Sequence, residues 1–161
     1  MEEFNRAKLE KIGNFLKTRK QSIAVAESVT SGLIQFAFST LPEAARFFQG
    51  GITAYNIGQK VRYLHVEPLH AQEVNCVSKK VALEMALEAS RGFTSDWAVS
   101  ITGYATPVPE SDNKTFAFYA ITYGGKVKAS GRITGKETHP VAIQTGYVNF
   151  IIDKLSTLMN V

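Results

Sequence analysis

Cysteine is almost absent from this chain: Cys76 is the only one among 161 residues. A single thiol can form no internal disulfide and offers no cluster of metal ligands, so a reducing, cytoplasmic setting is expected. Cys76 itself reads as a small, partly buried hydrophobe. Long apolar runs are missing too. No stretch approaches the roughly 18 residues that span a bilayer, and the opening Met-Glu-Glu-Phe-Asn-Arg lacks the apolar core of a secretory signal. A membrane partner is therefore not expected. The three histidines, His65, His70 and His139, lie far apart, which argues against a metal site. No G-x-x-x-x-G-K-[ST] phosphate loop occurs, no G-x-G-x-x-G follows a strand, and no carboxylate pair has glycosidase spacing.

What is present is the composition of a soluble globular protein, 45% hydrophobic and 20% charged. At this length a single domain over residues 1–161 can bury a full core without staples. The net charge is +4, but the lysines and arginines are scattered from Arg6 to Lys154. With no basic stripe, nucleic-acid binding is not indicated.

The chain is organised around residues 22–32, Ser-Ile-Ala-Val-Ala-Glu-Ser-Val-Thr-Ser-Gly. Ile23 to Ala26 do not alternate with polar residues and read as a strand buried on both faces. From Leu33 the apolar spacing becomes helical, which places Thr30, Ser31 and Gly32 at a helix N-terminus with unpaired amides. A strand, a hydroxyl-rich turn and a helix start can hold an anion or a developing oxyanion. Equally, Ser28 or Thr30 can be a plain N-cap.

Elsewhere, residues 3–19 have the spacing of an amphipathic helix. A second strand over residues 50–55 is entered through Gly50 and Gly51, which suggests a close approach or a bulge. Asn56 can cap a helix through Leu64 that carries Lys60 about one turn beyond Tyr55. A short element opens at Pro68, Ser78 begins a helix through Arg91, and a third strand covers residues 96–101. A long polar loop is expected from Thr102 to Lys114, a length more often functional than ornamental. Two strands flanking Tyr123-Gly124-Gly125 read as a hairpin, and residues 140–158 as a terminal helix. This order predicts an α/β fold, a three-layer α/β/α sandwich with a mixed sheet whose antiparallel part is the hairpin. Helices at both ends fit a complete unit.

The chemistry left open is that of hydroxyl, phenol and lysine. Ser28 at a strand end needs a base to become a nucleophile, and Tyr55 or Lys60 can serve if its pKa is lowered. Both are also ordinary rim residues. A Ser-His-Asp triad is left open, with nothing to indicate which histidine would serve.

Taken together the motifs resemble the C-terminal domain of the CinA family, whose active members are nicotinamide mononucleotide deamidases of the PncC type. The matching residues are Ala26-Glu27-Ser28 with Thr30 and Gly32; Phe48 to Tyr55 with Lys60; Leu64 to Pro68; Val77 to Ala82 with Met85-Ala86; and Ser100 to Ala105 with Pro107. They follow the family's order over nearly the whole chain. The resemblance implies hydrolysis of the carboxamide of nicotinamide mononucleotide to nicotinic acid mononucleotide and ammonia, a salvage step needing no metal or organic cofactor. Ser28 would attack, with Tyr55 and Lys60 activating it and protonating ammonia. The amides around Thr30, Ser31 and Gly32 would stabilise the oxyanion, Glu27 would orient a hydroxyl or the amide nitrogen, and Thr102-Gly103 would wall the pocket and help hold the ribose phosphate. The implied partners are a small-molecule nucleotide and a second copy of the chain, as a homo-oligomer.

The chain also departs from the family. Ser31 stands where active members have glycine, Tyr104 and Thr106 stand in a loop that usually reads Gly-Ile-Ala-Gly-Pro, and residues 135–142 lack the arginines that open the last helix. Lys136 or Arg132 are the candidate substitutes, although a lysine does not reproduce arginine's planar fork. Two further readings therefore stand beside the deamidase: an inactive nucleotide-binding or regulatory module, and an amidohydrolase for a related amide.

Overall fold

Side-chain size, not polarity, alternates along the central strands. The structure, a computed structural model, describes residues 4–161. Helix α1 (Arg6–Arg19) leads into β1 (Ile23–Glu27), α2 (Leu33–Ser39) and β2 (Phe48–Thr53). Three helices follow, α3 (Ile57–Leu64), α4 (Pro68–Glu73) and α5 (Lys79–Gly92), then β3 (Trp97–Tyr104), β4 (Phe116–Tyr123), β5 (Lys126–Thr134) and α6 (Pro140–Met159). Ile23 and Val25 of β1, Val99 and Ile101 of β3, and Tyr119 and Ile121 of β4 pack on α1, α2 and α6. On the opposite face Ala26 and Ala98 meet α3, α4 and α5, and Ala120 meets Ala82 and Ala86 of α5. Small residues on both sides let α5 lie close to the sheet, near enough for the Ser100 hydroxyl to donate to the Ala82 carbonyl.

The sheet runs β2-β1-β3-β4-β5. The first three strands are parallel, while β4 and β5 are antiparallel additions. This is the expected three-layer mixed α/β architecture. The chain leaves β1 toward β2 on one side and reaches β3 on the other, so the sheet reverses its order at β1. A crevice at the carboxyl ends of the strands forms at such a switch point.

Local chemistry sets the helix starts. The Asn56 carboxamide oxygen accepts from the Gln59 amide at 3.0 Å, and the Ser78 hydroxyl oxygen accepts from the Val81 amide at 3.1 Å. Asn5 caps α1, which begins at Arg6. The part of the expected first helix at residue 3 lies outside the described residues.

Two strand boundaries differ from expectation. β2 starts at Phe48, with a register irregularity against β1 between Ile23 and Ala24. β3 continues past Ile101 to Tyr104, so Thr102 and Gly103 belong to the strand and not to the loop. The reason lies in Gly103, which pairs with Ala117. A Cβ there would stand 2.4 Å from the Ala117 Cα, so only a residue without a side chain lets β4 approach this closely.

Two glycines give opposite predictions. Gly103→Ala should lower stability by about 2 kcal/mol or more through overpacking. At Gly146, within α6, an added methyl group would meet nothing within 4 Å, so Gly146→Ala should raise stability by about 1 kcal/mol through helix propensity. Urea unfolding midpoints of the two variants check both signs.

Candidate functional site

Where β1 ends, the chain must turn into α2 within a few residues, and Glu27 holds that turn. Its side chain is fully buried. Oε2 accepts from the Thr30 hydroxyl at 2.5 Å, the Gly32 amide at 3.2 Å and the Ile34 amide at 3.0 Å, and Oε1 accepts from the Gln35 amide at 2.9 Å. The carboxylate thus replaces a side-chain cap, since Gly32 at the cap position has none. Gly32 sits there at φ 97°, a conformation that favours glycine. Ser31 just before it also has positive φ, at 51°.

The turn leaves Ser28 facing a cavity of about 550 Å³ at the carboxyl ends of β1, β2 and β3. Its amide donates to the Ile101 carbonyl at 3.1 Å, extending the β1–β3 pairing and fixing the residue. Its hydroxyl has no hydrogen-bond partner among the described residues. Of the amides that follow, Ser31 donates to the Ser28 carbonyl at 3.0 Å and Gly32 to Glu27. Those of Val29 and Thr30 have no hydrogen-bond partner among the described residues. Both residues are buried, an environment in which a backbone N–H normally finds an acceptor.

Lys60 lines the same cavity from α3. It is only 3% exposed, and its ammonium makes no hydrogen bond or ion pair with any described residue. Burial lowers its pKa below the ordinary lysine value, partly opposed by Cys76. Cys76 borders the cavity too; burial pushes its thiol up, partly opposed by the Lys60 charge. Tyr55 stands at the rim, 68% exposed.

The other walls are tied together by side-chain bonds. The Thr102 hydroxyl donates to the Cys76 carbonyl at 2.8 Å, the Asn75 amide to the Tyr104 hydroxyl at 3.0 Å, and the Gln144 amide of α6 to the Val29 carbonyl at 2.8 Å. Asn75 and Cys76 both have positive φ, 50° and 60°, which bends the α4–α5 connection toward the cavity.

The structure therefore brings Ser28, Tyr55, Lys60, Thr102 and Gly103 to one cavity and leaves Glu27, Thr30, Ser31 and Gly32 outside its lining. Two expectations change. Glu27 and the Thr30 hydroxyl are spent on each other and on α2, so neither faces a ligand. The amides free to meet an oxyanion are those of Val29 and Thr30: Thr30 was in the expected set, whereas the Ser31 and Gly32 amides are already bonded and Val29 was not expected. Neither candidate substitute for the arginine lines the cavity: the Arg132 guanidinium lies 4.1 Å from the Phe116 ring centre, and Lys136 borders a different hollow. Nothing in the sequence singles out Asn75, Cys76 and Gln144 as site residues. Among the described residues no group of three His, Cys, Asp or Glu could hold a metal, and no helix is long and apolar enough to cross a membrane.

Residues 5–159 match the family model described as the CinA C-terminal domain. A CinA-like protein of Picosynechococcus sp. is 37% identical over 112 residues, which are 70% of this chain and 27% of that protein. Another, from Thermosynechococcus vestitus, is 35% identical over 126 residues, 78% of this chain and 30% of that one. The matched region thus spans less than a third of the length of these relatives. Among solved structures, a competence-damaged protein (CinA) superfamily protein from Klebsiella pneumoniae superimposes with a TM-score of 0.90 at 21% identity, covering 98% of this chain and 99% of the other. The competence/damage inducible protein CihA of Agrobacterium tumefaciens gives 0.85 at 22% identity, with the same coverage. At these identities the likeness is one of fold.

Removing the Glu27 carboxylate should unsettle the turn. Glu27→Ala strands three amides and a hydroxyl, which should cost about 3 kcal/mol, a fall in Tm of about 6–12 °C. Calorimetry of the variant checks this; an unchanged Tm would mean that the turn is held by something else.

Proposed function

The chain belongs to the CinA family, and from that premise we propose that it is a serine amidohydrolase acting on the carboxamide of a pyridine nucleotide. The observation that carries this reading is Lys60, buried and unpaired in the cavity that also holds the free Ser28 hydroxyl. A largely buried lysine with no carboxylate partner is shifted toward the neutral amine, the form able to take a proton.

In this mechanism the Lys60 amine takes the Ser28 proton as the hydroxyl oxygen attacks the carboxamide carbon. The carbonyl electron pair moves to oxygen, and the resulting oxyanion is met by the Val29 and Thr30 amides. Collapse breaks the C–N bond, Lys60 returns its proton to nitrogen, and ammonia leaves. An ester on Ser28 remains. Water then attacks that ester with Lys60 again as base, releasing the carboxylate and restoring the serine. Tyr55 at the rim would close over the aromatic ring of the substrate, and Thr102, Gly103 and Gln144 shape the walls. Glu27, Ser31 and Gly32 support the turn.

Nicotinamide mononucleotide is the substrate implied by the family resemblance, and nicotinic acid mononucleotide the product. Ammonia release from it by the purified protein is the test. Ser28→Ala and Lys60→Met should each lower kcat by about 10³-fold or more. Because the base acts as the neutral amine, kcat/KM should rise with pH through a limb below the ordinary lysine value, and Lys60→Met should remove that limb. A limb unchanged by Lys60→Met would take the base role away from Lys60.

A further inference from the structure

Resting on the amidohydrolase reading, we infer that Gln144 reads the leaving nitrogen of the substrate: its side-chain oxygen accepts a hydrogen bond from the carboxamide N–H and so selects an amide over the matching ester or carboxylate. Gln144 lies one turn after Pro140 on α6, and both residues line the cavity. Its Nε2 donates to the Val29 carbonyl at 2.8 Å, which places the side-chain amide next to the residue that follows the Ser28 nucleophile.

That one bond decides which way the amide faces. A backbone carbonyl only accepts, so the group against Val29 must be the NH2, and a flipped amide would set oxygen against oxygen. Oε1 is therefore turned away from Val29. It has no hydrogen-bond partner among the described residues, and it is not sealed inside the protein. A pinned, open acceptor on a cavity wall is complementary to a ligand N–H. Other acceptors around the nucleophile are taken: the Ser28 carbonyl by the Ser31 amide, the Val29 carbonyl by Gln144, the Cys76 carbonyl by the Thr102 hydroxyl, and the Glu27 carboxylate by the turn into α2. Asn75, another carboxamide in the lining, is tied to the Tyr104 hydroxyl and not to the nucleophile turn.

A substrate carboxamide brings two N–H donors. An ester has none on its leaving oxygen, and a carboxylate product offers only lone pairs, which Oε1 repels. Held through one N–H, the nitrogen of the tetrahedral intermediate keeps its lone pair free for the proton that Lys60 returns. The same acceptor then disfavours the carboxylate left after hydrolysis and promotes its release.

The test compares nicotinamide mononucleotide with the methyl ester of nicotinic acid mononucleotide, two substrates that leave the same acyl group on Ser28, in wild type and in Gln144→Met. Methionine keeps the length and helix propensity of glutamine but is only a weak acceptor. Gln144→Met should lower kcat/KM for the amide relative to the ester by about tenfold, and should bind the acid product about threefold more tightly. Gln144→Leu, a second variant without an acceptor, carries the same expectation. A merely structural loss at the Val29 contact would slow both substrates alike, so an unchanged ratio overturns the inference and leaves the amidohydrolase reading standing. A wild type that cleaves the ester but not the amide overturns both. If wild type cleaves neither, the amidohydrolase reading fails, and calorimetric binding decides the other point. A preference for the amide over the acid that Gln144→Met erases then supports the acceptor; a preference unchanged by the substitution, or no binding of either compound, overturns it.

Discussion

A buried carboxylate at the end of β1, accepting from the amides that open α2, organises this site. Glu27 is desolvated completely, a cost of several kcal/mol, and four donors together with the positive end of α2 offset it. The result is a turn with little freedom, in which Gly32 and Ser31 both take positive φ. Ser28 is then held by its own amide on Ile101, with its hydroxyl left unbonded. The β2 side is anchored through Glu27 as well, whose backbone carbonyl accepts from the Ala54 amide at 2.9 Å just before Tyr55.

The opposite condition governs Lys60. It is as buried as Ser28, yet no carboxylate pairs with it. The two ionisable groups have been separated, one saturated with hydrogen bonds and the other deprived of them. That separation supports a lysine acting as base, where a Glu–Lys pair would keep the ammonium charged.

Much of this was legible in the sequence. The layers, the mixed sheet and the caps at Asn56 and Ser78 follow from apolar periodicity and turn chemistry. The placing of Ser28, Tyr55 and Lys60 in one cavity follows from the positions of Ser28 and Tyr55 just beyond the ends of adjacent strands and from the helix, capped at Asn56, that carries Lys60. Other features were not readable because they depend on geometry across the chain. Glu27 looks the same in sequence whether it faces a ligand or folds back on a helix; only the direction of α2 decides. Thr102 and Gly103 look like loop, but the close approach of β4 makes them strand. Cys76, Asn75 and Gln144 arrive through a left-handed bend and a distant helix, and no local spacing announces their convergence.

The central claim is that burial makes Lys60 give up its proton more readily than an ordinary lysine, and its titration is the most direct measurement. Nitrogen-detected NMR of the lysine side chains, assigned with Lys60→Met, should show Lys60 losing its proton at a pH clearly below that of the exposed lysines. A Lys60 that titrates together with the exposed lysines would contradict the account.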